Sequence, residues 1–272
     1  MAGWRAYAES KPLKWRAGEL SRSHRDIPEE VPVAITYDGS TYAVMMATPA
    51  DLADFALGFS LTEEVIESPA DIESLEILEL DDGIECRIWL KPAVSLRERK
   101  RRRSIVGPTG CGLCGAESIA QAVKPVRTVD SAFRVQPSQL FQAARLLETR
   151  QSLNARTRAV HAAAFYRSGE LLIREDVGRH NALDKVIGAS IGEGNNADKG
   201  FVILTSRVSV ELIQKVAWFG SPIIAAISAP TALALRLAKD AGITLVAVLR
   251  PDGFEVFTHP ERIVEEALSH VP

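Results

Sequence analysis

The sequence predicts an α/β protein in which a smaller α+β part precedes a larger part built on a parallel sheet. In the C-terminal half, short apolar runs alternate with amphipathic stretches of about ten residues, which is the pattern of βαβ crossovers. In the N-terminal half, two Asp-Gly pairs each separate two β-prone runs, a strong hairpin signal. The 272 residues suit one large domain or two modest ones.

Composition places the chain among ordinary globular proteins. Apolar residues make up 46% and charged residues 25%, which excludes the disordered and fibrous classes. The net charge of -3 argues against whole-molecule attraction to nucleic acid. No apolar run approaches the roughly 20 residues that span a bilayer, and residues 1–20 lack the apolar core of a secretory signal. Three cysteines favour a reducing compartment over a disulfide framework, so we expect a soluble cytoplasmic protein with no membrane partner.

The N-terminal part is predicted to begin with a flexible arm over residues 1–25, which are charged and aperiodic. Residues 26–115 then form the α+β part. Thr48 is a candidate helix N-cap, with Pro49 at the first helical position. Cys86 shares a strand face with aliphatic residues, so we expect a buried core thiol. The predicted elements are strands at 33–37 and 42–46, a helix at 49–62, and strands at 75–80 and 84–90.

Residues 116–272 are predicted to form the larger α/β part. Its three apolar strands are those expected of a parallel sheet that is covered on both faces. The predicted elements are a helix at 138–153, a hairpin of 159–166 and 171–175, a helix at 181–187, strands at 201–204, 222–227 and 243–249 with helices at 210–219 and 232–241 between them, an edge strand at 254–258 and a closing helix at 261–268.

Polar clusters follow each of the three apolar strands. In an open α/β sheet, ligands bind outside the carboxyl ends of the strands. The first two clusters also precede helix N-termini, which favour phosphate. We therefore expect an anionic, phosphorylated ligand at this edge, although each cluster taken alone could be capping and turn residues. The clusters are Thr205, Ser206 and Arg207; Ser228 with Ala229, Pro230 and Thr231; and Arg250, Pro251, Asp252 and Gly253.

Two more groups add titratable side chains to this part. Carboxylates stand beside Arg179 and His180 between a strand and a helix, an arrangement used for binding or proton transfer. Asp176 could equally cap that helix. His161 starts an apolar strand and is a core histidine unless the three alanines that follow it leave room for a ligand.

The main chemical signal is the pair Cys111 and Cys114, spaced C-x-x-C within the glycine-rich string 110–115. Such a pair permits metal ligation, dithiol redox or sulfur transfer through a persulfide. Structural zinc needs two more ligands, and a thioredoxin-like pair sits at a helix start in a βαβ unit. The flanking glycines favour a mobile loop with accessible thiolates. The basic run Arg97–Arg103 could lower the thiol pKa, contact phosphate, dock a partner or be a solvated loop.

A zinc nucleobase deaminase is the alternative that the C-x-x-C pair and His161 raise together. Those enzymes pair H-x-E with P-C-x-x-C, and the glutamate carries the proton. Here Ala163 stands two residues after His161, no proline precedes Cys111, and the order of the two strings is reversed. Deaminase chemistry is therefore not expected.

The chain resembles the formate dehydrogenase accessory sulfurtransferase family, FdhD, from about Glu30 to Arg262. The matching strings are Glu30–Val33, Phe55–Phe59, Gly110–Gly115, His161–Ala163, Glu175–Lys185, Thr205–Arg207 and Thr258–Arg262. One departure lies before His161, where arginines, including Arg156 and Arg158, replace glycines that the family commonly has. These arginines could contact phosphate.

The resemblance implies a sulfur carrier. The family takes sulfur from a cysteine desulfurase as a cysteine persulfide and passes it to the molybdenum (or tungsten) bis-guanine-dinucleotide cofactor, its bound cargo, before that cofactor enters formate dehydrogenase. It implies a cytidine deaminase-like fold and a homodimer, and we expect no structural metal. Cys111 matches the persulfide position and Cys114 its partner. The segment matching the family's cofactor-binding loop is Val248, Leu249, Arg250, Pro251, Asp252 and Gly253. A non-catalytic cofactor-binding chaperone is the competing hypothesis.

Overall fold

The computed structural model describes residues 3–103 and 126–264. The mixed α/β class is confirmed within these ranges. The predicted boundary after residue 115 lies outside them, as do Cys111 and Cys114. The cytidine deaminase-like character stays a prediction.

The N-terminal segment forms a long hairpin where the sequence predicts a flexible arm. Its strands are β1 (Tyr7–Ser10), β2 (Leu13–Arg16), β3 (Glu19–Arg22) and β4 (Arg25–Pro28), with β1 paired to β4 and β2 to β3, both antiparallel. Ala17 and Gly18 close it, and both have positive φ, 51° and 91°. Two left-handed residues match the twist of paired strands, which lets this charged sequence form a tight turn.

The first core lies between a four-stranded sheet and one helix. The strands are β5 (Val31–Tyr37), β6 (Ser40–Ala47), β7 (Ile72–Leu80) and β8 (Gly83–Leu90), in the order β6-β5-β8-β7. Helix α1 (Leu52–Thr62) covers one face of this sheet. Both predicted hairpins are confirmed, and Cys86 is fully buried as predicted.

The basic run continues a helix, α2 (Pro92–Arg103), where the sequence predicts a break in regular structure. Leu, Arg, Lys and Glu are all good helix formers, and proline is tolerated at the first helical position. Arg97 forms an ion pair with Glu67, so this cation has a local partner.

The larger part contains the predicted alternation of strands and helices. Its elements are α3 (Pro137–Arg150), α4 (Ser152–Thr157), β9 (His161–Arg167), β10 (Glu170–Asp176), α5 (Arg179–Gly192), β11 (Phe201–Leu204), α6 (Val210–Phe219), β12 (Ile223–Ala226), α7 (Ala232–Asp240), β13 (Thr244–Arg250) and β14 (Gly253–Thr258). A 3-10 turn, Pro260–Arg262, occupies the start of the predicted closing helix, and residues 265–272 lie outside the described ranges.

These strands form one six-stranded sheet in the order β10-β9-β11-β12-β13-β14. The central strands β11, β12 and β13 are parallel, as the predicted βαβ crossovers require. Helices α5, α6 and α7 cover one face and α3 the other. Alternate residues of β11 therefore enter different cores, Val202 one and Ile203 the other.

The two parts meet where α1 crosses α5 in backbone contact. A Cβ atom on Gly58 would lie 1.8 Å from the carbonyl oxygen of Asp184, and one on Gly188 would lie 2.0 Å from that of Asp54. Only glycine permits such a close crossing. The Phe55–Phe59 string therefore serves the interface between the two parts.

Candidate functional site

The fold brings the sequence-predicted cofactor-binding residues to one edge of the six-stranded sheet. The carboxyl ends of β11, β12 and β13 lie there because these strands are parallel. β9 runs antiparallel to β11, and β10 to β9, so the start of β9 and the end of β10 share this edge. We call it the rim. It carries His161, Arg179, His180, Thr205–Arg207, Ser228 and Val248–Gly253.

Backbone and hydroxyl hydrogen bonds fix the first cluster of the rim. The Thr205 N–H donates to the carbonyl of Ala162 (3.0 Å), and the Thr205 hydroxyl oxygen accepts from the Ala162 N–H (2.9 Å). Ser206 is almost fully buried, and its hydroxyl donates to the carbonyl of Arg207 (3.2 Å). Arg207 is exposed. Its guanidinium is therefore the group of this cluster best placed to meet a ligand from solvent.

The last cluster begins with a strained residue. Val248 has a φ of 53°, in the left-handed region that a β-branched residue rarely adopts. The pairing of β13 with β14 shifts between Ala247 and Arg250, so Val248 lies in a bulge. Its N–H donates to the carbonyl of Ser228 (3.2 Å), which ties the second cluster to the third. Backbone strain of this kind is concentrated at functional sites.

The Leu249 side chain is 1% exposed and packs in the core on the α3 side of the sheet. The register shift at Val248 turns this side chain inward, so Leu249 can meet a ligand at the rim only through its backbone. Its cofactor-binding role stays a prediction. Arg250, Pro251 and Asp252 are exposed beside Leu249.

Asp176 is a structural anchor of the rim. It is fully buried and forms an ion pair with the equally buried Lys185, with 2.7 Å between Oδ2 and Nζ. Its Oδ1 accepts hydrogen bonds from the Gly178 N–H (2.7 Å) and from Nδ2 of Asn181 (3.0 Å). The sequence leaves Asp176 either a binding or a capping role. In the structure, Asp176 and Asn181 fix the turn that presents Arg179 and His180.

Thr48 belongs to the same network and is not the N-cap that the sequence predicts. Helix α1 is capped at Asp51. The Thr48 N–H donates to Asp176 Oδ2 (3.0 Å), its hydroxyl oxygen accepts from the Val177 N–H (3.1 Å), and its carbonyl accepts from Lys185 Nζ (3.0 Å). The link between β6 and α1 thus braces the rim from the N-terminal part.

The segment before His161 is also held structurally. The Glu175 carboxylate accepts from the N–H groups of Leu153 and Asn154, both at 2.8 Å, and so caps α4. Arg156 pairs with Asp26 (3.0 Å), and its guanidinium lies 4.2 Å from the Tyr7 ring centre. Arg156 thus has a partner in the N-terminal hairpin while its side chain stays 52% exposed, and the phosphate contact stays a prediction. Arg158 is exposed with a φ of 58°.

Two buried polar atoms at the start of α5 have no hydrogen-bond partner within the described chain: Nε of Arg179 and Nε2 of His180. Buried polar atoms are normally paired, so these mark a place where a ligand could complete the bonding. Burial, and then the charges of Arg179 and Lys215, lower the pKa of His180 to about 4. The imidazole is neutral at physiological pH, with Glu211 Oε2 3.8 Å from Nε2.

His161 is partly buried at the start of β9. Burial and the charge of Arg179 lower the pKa of His161. Both rim histidines are thus held as neutral imidazoles, able to donate or accept one hydrogen bond at each ring nitrogen. Sequence reasoning missed Glu211. Its place in the first turn of the helix after the first cluster was the available signal.

Within residues 3–103 and 126–264, no group of three or more His, Cys, Asp or Glu side chains could hold a metal ion. In the same ranges, no helix is long and apolar enough to cross a membrane. From the residues that it carries, the rim can offer a ligand cations, hydroxyls, neutral imidazoles and backbone N–H groups. Such a donor set suits an anionic ligand with hydrogen-bonding edges.

The chain matches the FdhD/NarQ family over residues 28–264. It belongs to that family. The sulfur carrier protein FdhD of Agrobacterium fabrum is 52% identical over 252 residues, covering 92% of this chain and 93% of that protein. The sulfur carrier proteins FdhD of Cupriavidus necator and Brucella abortus are 47% and 48% identical, each over 93% of this chain and over 89% and 95% of their own lengths.

A solved structure supports the FdhD/NarQ assignment at the level of the fold. It is described as the crystal structure of "a putative formate dehydrogenase accessory protein" from Desulfotalea psychrophila. The two chains superpose with a TM-score of 0.74 at 26% identity, over 95% of this chain and 100% of the other.

Proposed function

We propose that this protein is a sulfur carrier that serves formate dehydrogenase, accepting sulfur as a persulfide on Cys111 and delivering it to a molybdenum bis-guanine-dinucleotide cofactor bound at the rim. Family membership supports the sulfur-carrier role. The observation that carries the cargo assignment is the meeting of three strand-end clusters at one edge, beside unpartnered Arg179 and His180 atoms.

The rim chemistry fits the nucleotide end of such a cargo. Arg207 and Arg250 are exposed there and can pair with phosphate oxygens. The N-terminus of α5 has Gly178 as its cap, with no side-chain hydrogen bond, so its first N–H groups are available to an anion. Neutral His161 and His180 add hydrogen bonds without adding charge.

The proposed sulfur transfer takes place in two steps. First, the Cys111 thiolate attacks the terminal sulfur of the cysteine persulfide on a desulfurase. An S–S bond forms on Cys111, the donor S–S bond breaks, and the donor cysteine leaves as a thiolate, so there is no net redox change. Second, the Cys114 thiolate attacks the Cys111 sulfur. The Cys111–Cys114 disulfide forms as the S–S bond of the persulfide breaks. The terminal sulfur leaves with the electron pair of the broken bond, as sulfide for the cargo. A thiol reductant of the cytoplasm, the location that we propose, then supplies the two electrons that restore the dithiol and is itself oxidised to a disulfide.

Mass spectrometry tests this proposal. After incubation with a cysteine desulfurase and cysteine, we expect one added sulfur atom on the peptide that contains Cys111. Cys111→Ser should abolish the addition. Cys114→Ser should retain the persulfide but fail to release it as sulfide. The third cysteine is an internal control, because burial raises the pKa of Cys86 to about 12 and keeps its thiol protonated.

If no sulfur is added to Cys111 or Cys114, the carrier mechanism is wrong, and a cofactor-binding chaperone is the better account. Binding of guanosine diphosphate then decides the cargo separately. Calorimetry should detect binding to the intact protein, and loss of binding in Arg207→Ala with Arg250→Ala would assign it to the rim.

A further inference from the structure

Glu211 directs a carboxylate at one of the rim histidines. It lies in the first turn of α6, and its Oε2 atom is 3.8 Å from Nε2 of His180 in the first turn of α5. Among the described residues, no other cationic side chain forms an ion pair with this carboxylate. Burial raises the pKa of Glu211, but hydrogen bonding and the charge of Arg179 outweigh burial and lower it. The side chain is therefore an ionised hydrogen-bond acceptor beside His180.

A buried ion pair one turn further along holds α5 and α6 together. Asp184 follows His180 by four residues and Lys215 follows Glu211 by four, so each helix carries its two side chains on one face. Nζ of Lys215 lies 2.9 Å from Oδ1 of Asp184, and both residues are buried. This pair fixes how the two helices face each other, and it thereby holds the backbones of His180 and Glu211 close together.

The same ion pair leaves Glu211 without a lysine partner. The Lys215 ammonium group donates to Asp184 (3.0 Å), to the hydroxyl of Thr62 (2.8 Å) and to Glu63 (3.4 Å). An ammonium group has three protons, so these contacts use all of them. Glu211 therefore keeps its acceptor capacity for the His180 ring.

The neutral ring of His180 has one protonated nitrogen and one nitrogen with a lone pair. Nε2 is buried, whereas the side chain as a whole is 30% exposed. The exposed part therefore belongs to the rest of the side chain, which includes Nδ1. In such a ring, the hydrogen bond made by one nitrogen decides which of the two carries the proton. A carboxylate only accepts, so Glu211 favours the proton on Nε2 and leaves the lone pair on Nδ1.

We propose that Glu211 is a positioning residue that holds His180 as its Nε2–H tautomer, with the Nδ1 lone pair available to a ligand at the rim. The hydrogen bond requires the 3.8 Å distance to shorten by about 1 Å, which rotation about the Glu211 side-chain torsions provides. The same logic governs histidines whose second nitrogen is fixed by a carboxylate in metal and catalytic sites.

A lone pair on Nδ1 determines which part of a ligand this position accepts. It takes a hydrogen bond from an N–H or O–H group, whereas a fully ionised phosphate has no proton to donate. The rim would then place a donor-bearing part of the cargo at His180 and its phosphates at the exposed Arg207 and Arg250. This inference rests on the proposed binding of a guanine nucleotide cargo at the rim.

¹⁵N NMR of the free, full-length protein measures the tautomer, because protonated and unprotonated ring nitrogens differ in chemical shift. The chain has five histidines, and His180→Asn identifies the His180 signals by their loss. At pH 7 we expect the Nε2–H tautomer in wild type and in Glu211→Gln, whose amide oxygen still accepts. Glu211→Met has a similar length but no such acceptor, and it should lose the preference. Glu148→Met, at an exposed position of α3, is the matched control and should keep the wild-type tautomer.

Calorimetry with guanosine diphosphate shows whether Glu211 acts through His180. Glu211→Met should weaken binding about tenfold in the wild-type background, the effect of one lost hydrogen bond. In the His180→Asn background the same substitution should weaken binding less than about twofold, because no ring remains to be positioned. Glu148→Met should bind as wild type does.

Three results would overturn the proposal: an Nδ1–H tautomer in wild type, a tautomer preference that survives Glu211→Met, or equal losses of affinity from Glu211→Met in both backgrounds. The last result would mean that Glu211 does not act through His180. If wild type binds no guanosine diphosphate, the cargo assignment of the rim fails. The tautomer in the free protein then decides the pairing of Glu211 with His180 by itself.

Discussion

At the scale of single residues, Arg250 shows how the rim presents charge. One guanidinium nitrogen donates to the carbonyls of Ile227 and Leu249, across the ends of β12 and β13. The rest of the group faces solvent. We predict that Arg250→Ala weakens guanosine diphosphate binding by ~1 kcal/mol or more, as expected for a lost charge-assisted contact. Calorimetry measures this directly.

Two further variants sharpen the Arg250 measurement. Arg250→Lys keeps the charge but not the planar fork, so its affinity should fall between wild type and Arg250→Ala. Arg236→Ala removes an exposed arginine of α7 and should leave binding unchanged. Equal affinities for all three variants would mean that Arg250 is not part of the nucleotide site.

The strained backbone of Val248 is predicted to lower the stability of the protein while it shapes the rim. A β-branched residue with φ near 53° is strained, and relief of such strain is worth about 1–3 kcal/mol. Val248→Gly should therefore be no less stable than wild type in urea unfolding, and it should bind guanosine diphosphate more weakly. Val256→Gly is the matched control, since Val256 is a partly buried valine on the neighbouring strand β14 with no positive φ. It should cost about 2 kcal/mol through lost burial and backbone freedom. Equal losses in both variants would contradict the strain.

At the scale of elements, the crossing of α1 and α5 is predicted to be the contact least tolerant of added volume. Gly58→Ala would place its Cβ in the backbone of Asp184 and push the helices apart, at a cost of about 3 kcal/mol or more. Gly192→Ala is the control, because it adds the same methyl at the last residue of α5 with nothing within 4 Å. It should be neutral or stabilise by up to ~1 kcal/mol. Thermal unfolding of the two variants gives the comparison, and similar midpoints would count against the close crossing.

How far the elements could be predicted depends on whether their signals are local. β11 and α6 match their predicted bounds, Phe201–Leu204 and Val210–Phe219, because an apolar run, the cap Ser209 and the left-handed Gly220 all lie within or beside them. The role of Thr48 could not be predicted in this way. Its partner Asp176 lies 128 residues further along the chain.

In the candidate site too, some features could be predicted from the sequence and others could not. That the strand-end clusters meet follows from parallel strands, so the rim itself could be predicted. Which residues face it could not, because the bulge at Val248 shifts the register and turns Leu249 into the core. The partners of Arg156 could not be predicted for a related reason. Asp26 and Tyr7, which contact Arg156, lie in the N-terminal hairpin. The charged, aperiodic sequence of that segment predicts a flexible arm and not a hairpin.

At the scale of the whole molecule, stability is predicted to fall as the pH drops below about 6.5, partly through His180. The folded state holds the pKa of His180 at about 4, while the unfolded imidazole titrates near 6.5. Between pH 6.5 and pH 4 the imidazole is therefore protonated in the unfolded chain but not in the folded chain. The free energy of unfolding falls by ~1.4 kcal/mol for each pH unit in this range. When the pH falls from 7 to 5, the free energy of unfolding should decrease by ~2 kcal/mol less in His180→Asn than in wild type. The exposed His24→Asn should behave like wild type, and parallel losses in all three proteins would refute the assignment.

The Asp176–Lys185 pair is predicted to join the two parts into one cooperative unit. Both side chains are fully buried, and Lys185 also donates to the carbonyl of Thr48, so one network spans the β6–α1 link, β10 and α5. Lys185→Met leaves the buried carboxylate without its counter-charge and should cost about 3–5 kcal/mol. Adding Asp176→Asn removes that uncompensated charge, so the double variant should lose less than the sum of the single ones.

Urea unfolding by circular dichroism and by tryptophan fluorescence measures the coupling within this pair. Lys199→Met replaces an exposed lysine and should change the unfolding free energy by less than about 0.5 kcal/mol. In wild type the two signals should share one midpoint, because neither part can unfold without breaking a charge pair that the other part shields from water. Additive losses in the double variant would show that the two groups act separately. Two distinct midpoints in wild type would show that the network does not couple the parts.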